Sequence, residues 1–210
     1  RAAVPNQPGC RDRRDQNEET EIPMSRTWVK RESEYIAHYP VFTLRRDICV
    51  SPRTGSDISA YVLETRDWVV VLPITPEGDV VFVRQYRFAS EEITLEIPGG
   101  LSDETDGSMA EAARRELREE TGYDSGQIIL LGTCRPNPAI LNNTCYLFAA
   151  LDAVRRHDQC LDAGEDIQVE RIPLDEIPGL ILNGTINHSL VLNAFYLLDL
   201  QRRNHRIQIG

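Results

Sequence analysis

The run Trp68-Val69-Val70-Val71-Leu72-Pro73-Ile74 is apolar without interruption and rich in β-branched residues. It lacks the period-two alternation of a strand with one wet face, so it predicts a strand buried on both faces. Such a strand needs packed cover on two sides. The chain can supply it: 210 residues, 41% hydrophobic and 27% charged, suit one soluble domain of moderate size or one domain with a small appendage.

Other signals place further elements around that run. Residues 1 to about 25 are polar and charged with almost nothing to bury, and read as a disordered tail, with Met24 a candidate original start. From Trp28 to about Glu64 come short strand-like pieces: Val41-Phe42-Thr43-Leu44, Ile48-Cys49-Val50 and Ser59-Ala60-Tyr61-Val62-Leu63. Pro52-Arg53-Thr54-Gly55 between the last two signals a hairpin turn. Thr75 to Asp79 turns the chain, Val80 to Val83 continues as a strand into Arg84-Gln85-Tyr86-Arg87, and Leu95-Glu96-Ile97 is a short strand stopped by Pro98-Gly99-Gly100.

Ser108 and Glu111 have capping-box spacing, so a helix is predicted from Met109 to Glu120, ended by Gly122. Ala110, Ala113 and Leu117 give it a buried stripe. Ile128 to Leu131 and Cys145 to Ala149 read as strands, Asp152 to Asp166 as an acidic loop, and Ile167 to Glu170 as another strand. Ser189 to Leu200 reads as an amphipathic helix with Asn187 as N-cap.

The chemistry lies on the first helix. Spacings of three and four residues put Glu116, Glu119 and Glu120 on neighbouring positions of one surface, where like charges repel. One resolution is a solvated face with Arg114, Arg115 and Arg118 as ion-pair partners. The other is a hard cation such as Mg²⁺, which takes carboxylate oxygens and shares its shell with substrate phosphates.

In its context, Arg115-Glu116-Leu117-Arg118-Glu119-Glu120-Thr121-Gly122-Tyr123 resembles the last nine positions of the Nudix box, G-x5-E-x7-R-E-U-x-E-E-x-G-U, where U is a large apolar residue. The front half departs from it: fourteen residues separate Gly100 from Arg115 where the box has thirteen, its first Glu falls on Gly107, and Asp106 is the nearest acid. Val83 to Arg87 with Leu95 to Gly100, and Leu182 to Ser189, resemble the ADP-ribose pyrophosphatase branch. The loop Arg135 to Asn143, with Pro138 fifteen residues after Tyr123, is closer to relatives carrying an N-P-A segment.

The resemblance implies an α/β fold, the Nudix α/β/α sandwich with a mixed sheet. It also implies an N-terminal β-rich subdomain over 26–64, with the hydrolase domain over 65–205. It implies Mg²⁺ (or Mn²⁺) held by Glu116, Glu119, Glu120 and the Gly99 carbonyl. Glu165 from the acidic loop would join the metal site or orient the attacking water, and Arg115 would fix the carboxylates. Arg87, Glu96 and Pro138 would face the substrate. Alternatives stay open for each: Arg87 paired with Glu91 or Glu92, Glu96 as an edge-strand surface charge, Glu165 as a solvated loop acid, and Pro138 in a merely rigid loop. His38, His157, His188 and His205 read as surface or capping residues.

The implied activity is cleavage of the diphosphate of ADP-ribose or a related nucleotide sugar, by a homodimer. The competing readings are a non-catalytic nucleotide-sensing module of the same fold, or hydrolysis of a GDP-sugar or dinucleotide. A net charge of −10 argues against a nucleic-acid backbone or an anionic membrane as partner. Five scattered cysteines without zinc or redox spacing, no signal peptide and no apolar run of membrane length lead to the expectation of a cytoplasmic protein.

Overall fold

The computed structural model describes residues 27–209, so the expected tail and Met24 lie outside the described residues. The first elements are β1 (Val29–His38), β2 (Thr43–Val50), β3 (Asp57–Glu64), β4 (Trp68–Pro73), β5 (Asp79–Arg87) and β6 (Glu92–Glu96). There follow β7 (Gly99–Leu101), α1 (Met109–Thr121), β8 (Tyr123–Asp124), β9 (Gln127–Cys134) and β10 (Cys145–Leu151). The chain then forms β11 (Val154–Arg155), β12 (Gln168–Pro173), α2 (Ile177–Leu182) and α3 (Ser189–Arg203).

The all-apolar run becomes β4, an inner strand of a mixed sheet ordered β7-β4-β10-β9. β4 runs parallel to β10 and antiparallel to β7. Its side chains divide by parity, as the pleat requires. Val69 and Val71 join Phe148, Ala112, Ala113 and Leu117 on the α1 side. Val70 and Leu72 join Leu147, Leu190, Val191 and Ala194 on the α3 side. The two-sided burial read from the sequence is thus a helix on each face, an α/β/α sandwich. A second sheet, β12-β5-β6, meets the first through the Ile74–Val80 bridge.

The N-terminal region forms its own antiparallel sheet, β1-β2-β3, with the expected hairpin at Pro52–Gly55, where Gly55 has φ 73°. The two separate pieces expected at Val41–Leu44 and Ile48–Val50 are one strand, β2. Three charged residues interrupt it, and each has a partner across the sheet: Arg45 forks onto Asp47 and also meets Glu64, and Arg46 meets Glu34. Asp47 is 5% exposed and also accepts from Ser33. β1 was not anticipated, because most of its side chains are exposed and it carries no apolar pattern. Pro98-Gly99-Gly100 was read as a stop, whereas Gly99–Leu101 pairs with Trp68–Val70 as β7.

Helix α1 matches its expected caps. The Ser108 side chain accepts from the Glu111 N–H, and Gly122 adopts φ 72° while its N–H reaches Arg118 O. For α3 the expectation fails by one residue: the N-cap is His188, not Asn187, and its side chain makes no capping hydrogen bond. Among the described residues no helix is long and apolar enough to cross a membrane.

Candidate active site

Glu116, Glu119 and Glu120 do share one side of α1, but their surroundings differ. Glu116 and Glu120 are buried, 8% and 3% exposed, while the Glu119 side chain is 40% exposed. Arg115 stands among them and donates from Nη1 to Glu116 Oε1 at 2.8 Å and to Glu119 Oε2 at 2.9 Å. Its other edge forks onto Asp106, with both contacts at 3.0 Å, and also reaches the Leu101 carbonyl. The irregular front half of the box therefore still delivers a carboxylate to Arg115, from Asp106. That guanidinium holds Asp106 below the usual carboxylate range. Arg114 and Arg118 turn away and both bind the buried Asp124, so of the three arginines read as ion-pair partners on a solvated helix face only Arg115 pairs with the glutamates.

Burial raises the pKa of Glu116, and the charges of Glu119 and Glu165 add to the rise against the pull of Arg115. Glu120 is raised further, by burial first and then by the charge of Glu116. Two buried carboxylates, both raised by burial and one further raised by the other's charge, form a site that favours added positive charge. Among the described residues no three ligand side chains converge closely enough to hold a metal ion by themselves.

The glycines of β7 explain how the carboxylates come so close to the sheet. A methyl group on Gly100 would sit 2.7 Å from Glu116 Oε1, and one on Gly99 would overlap the Val69 carbonyl and lie 2.8 Å from Val70 Cα. The Gly99 N–H donates to Glu120 Oε2 at 3.1 Å. On the other side, Gly99 and Gly100 line a cavity of about 430 Å³. Most of its wall is apolar, including Val41, Phe42, Leu63 and Leu141. Its polar side chains are Thr65, Arg87, Glu96 and His188.

Arg87 pairs with neither Glu91 nor Glu92. It forks onto Glu96, Nε to Oε1 and Nη2 to Oε2, both at 2.7 Å. Glu96 lies on an edge strand, yet it is 3% exposed and not a surface charge. Burial would raise its pKa, but Arg87 and the Thr94 hydroxyl outweigh that and leave it lowered. Glu165 is exposed, and its carboxylate accepts from the Asp162 N–H of its own loop. The loop docks on the end of α1, through Gln159 to Glu120 O at 2.6 Å and Cys160 N to Glu119 O at 2.8 Å. That docking brings the Glu165 charge into the field of Glu116 and Glu120. Pro138 is exposed and is absent from the cavity wall, to which its loop contributes Leu141.

The sequence reading gave His188 no role at the site and, while the resemblance implies that the N-terminal subdomain helps form the substrate pocket, it named none of the N-terminal lining residues. His188 carried no local signal beyond its place before a helix. Val41, Phe42 and Leu63 reach the cavity through long-range contacts such as the Leu63–Leu141 bridge.

Comparison with known proteins agrees with this geometry. The NUDIX domain matches residues 64–195. The methanol dehydrogenase activator of Bacillus methanolicus is 31% identical over 134 residues, covering 63% of this chain and 72% of that protein. The ADP-ribose pyrophosphatase of Bacillus subtilis is 28% identical over 135 residues, with 63% and 72% covered. The ADP-ribose pyrophosphatase of Mycobacterium tuberculosis is 27% identical over 162 residues, with 76% and 77% covered. The crystal structure of an ADP compounds hydrolase superposes with a TM-score of 0.75 over 86% of this chain and 97% of its own, at 22% identity, which speaks to the fold. The chain belongs to the NUDIX family of hydrolases and groups with its ADP-ribose pyrophosphatase-like members.

Proposed function

We propose that this chain hydrolyses the diphosphate of ADP-ribose or a related nucleotide sugar, giving a nucleoside monophosphate and a sugar phosphate. One observation carries the reading: Gly99 and Gly100 line the cavity and also border Glu120 and Glu116, so the cavity and the buried carboxylates adjoin at β7. An apolar recess with a few polar groups suits a nucleoside, and an acidic patch beside it suits a metal-bound diphosphate. The relatives named ADP-ribose pyrophosphatase support this substrate class.

In this reading Glu116 and Glu120 hold Mg²⁺ or Mn²⁺, with Glu119 and the Gly99 carbonyl completing the set. When bound, the cation supplies charge neutralisation on the phosphate oxygens and acidifies a water for attack. Arg115 keeps Glu116 and Glu119 in place and is itself anchored by Asp106. Glu165 orients the attacking water from the docked loop. Arg87 and Glu96, locked as a pair, position the substrate. Pro138 keeps its loop rigid so that Leu141 meets the cavity.

A homodimer belongs to the proposal. It is supported by the large apolar side chains left exposed on β1–β3, including Tyr35, Ile36, Ile58 and Tyr61. The free thiols Cys49, Cys134, Cys145 and Cys160 support a reducing, cytoplasmic setting. Purified protein with Mg²⁺ is expected to release AMP from ADP-ribose, and EDTA to abolish release. Tight ADP-ribose binding with no turnover across a panel of nucleotide sugars would instead identify a sensor, and turnover confined to a GDP-sugar or dinucleotide would move the substrate.

A further inference from the structure

His188 occupies the N-cap position of α3, yet its side chain does no capping. Its backbone is pinned between Ile186 and Leu190, 1% and 5% exposed, which fixes the ring on the cavity wall beside Glu96 and Arg87. Nε2 lies 3.7 Å from Glu96 Oε2, beyond hydrogen-bonding distance. That oxygen already accepts from Arg87, and its twin accepts from Arg87 and Thr94. The Thr65 hydroxyl, also at the cavity, donates to the Val41 carbonyl. Nδ1 is buried with no partner.

These facts select one state of the ring. A proton on Nδ1 would be a buried donor without an acceptor, an unfavourable arrangement. The ring is therefore neutral with its proton on Nε2, consistent with a pKa held below 6.5 by burial. Nε2–H then lies at a cavity wall without an acceptor in reach.

We infer that His188 is a specificity-determining residue: its Nε2–H donates to a neutral acceptor of the nucleoside portion of the substrate, a hydroxyl oxygen, ring nitrogen or carbonyl. The inference deepens the reading of the cavity as a nucleotide-sugar site and rests on it. The diphosphate is excluded as the acceptor because it belongs at the carboxylates beyond Gly99 and Gly100.

The test compares His188→Phe, which keeps a flat ring without a donor, with His188→Gln, whose amide nitrogen stands close to the place of Nε2. KM and kcat are measured with ADP-ribose and Mg²⁺, and ADP-ribose binding is measured by calorimetry in EDTA. His188→Phe is expected to raise KM and Kd about tenfold, the ratio for one hydrogen bond left unmade in a closed site, with kcat within twofold. His188→Gln is expected to recover most of the loss. Melting temperatures of both variants near wild type are expected, since the ring caps nothing. KM and Kd within twofold of wild type in His188→Phe overturn the inference, as does a fall in kcat alone or a failure of Gln to improve on Phe. Wild-type protein that binds ADP-ribose without cleaving it removes the hydrolase reading and leaves the His188 comparison standing on Kd. Absence of both binding and turnover overturns the two together.

Discussion

Replacing Glu120 by glutamine should make the metal-free protein more stable while removing its activity. Glu120 is 3% exposed, faces the charge of Glu116, and accepts a single hydrogen bond, from the Gly99 N–H. Glutamine keeps the shape and can still accept from Gly99, but removes a buried negative charge. Relief of an under-satisfied buried group is worth about 1–3 kcal/mol. For a chain of this size that is a rise of roughly 2–12 °C in melting temperature. The sign with pH follows from the raised pKa. The folded state holds the Glu120 proton more tightly than the unfolded chain, whose glutamates titrate near ~4.3. The stabilisation from that proton is complete below the unfolded value and is lost as pH rises through the folded one. The advantage of E120Q in EDTA should therefore be small at pH 4.5 and grow toward pH 7.5. Mg²⁺ should raise the melting temperature of wild type and leave E120Q nearly unmoved. The assay is thermal unfolding of both proteins, with EDTA or Mg²⁺, at several pH values. An E120Q protein that melts below wild type in EDTA at pH 7.5, or that gains as much as wild type from Mg²⁺, refutes the electrostatic account.

Gly100→Ala should lower kcat at least about tenfold, because the new methyl group meets the Glu116 carboxylate at 2.7 Å and must displace it; kcat near wild type counts against Glu116 as a metal-binding group. Asp106→Ala should cut activity by about tenfold or more by freeing one edge of Arg115, with Asp106→Asn milder; equal activity in both variants would reduce Asp106 to a loop acid. Leu117→Ala should cost about 2–5 kcal/mol, since that side chain is fully buried between α1 and β4, and denaturant unfolding would read it.

Much of the site was legible because helical spacing is local. Any helix carrying Arg115, Glu116, Glu119 and Glu120 places them together, and Ser108 and Gly122 state where that helix starts and stops. The run of β4 declared its two-sided burial because each apolar side chain had to meet a layer of its own, and α1 and α3 supply the two layers. Periodicity could not announce β1, whose side chains are mostly wet, nor the continuity of β2, whose charges look like an interruption until their partners across the sheet are known.

What remained for the tertiary structure was everything set by distance across the fold. Residue type and spacing were enough to name the acidic helix. They could not show that Glu116 and Glu120 are buried and Glu119 half exposed, because that depends on the close approach of β7, which Gly99 and Gly100 permit. The β5–β6 register sets Arg87 opposite Glu92, yet Arg87 forks onto the buried Glu96 two pairs along the same face, a choice only the packed fold makes. His188 read from the sequence as a surface or capping residue at a helix start. Packing of α3 against the sheet, driven by Leu190, Val191 and Ala194, is what carries its ring to the cavity. Local chemistry is written in neighbours along the chain, whereas burial and partnership are decided by which distant surfaces the folded core brings together.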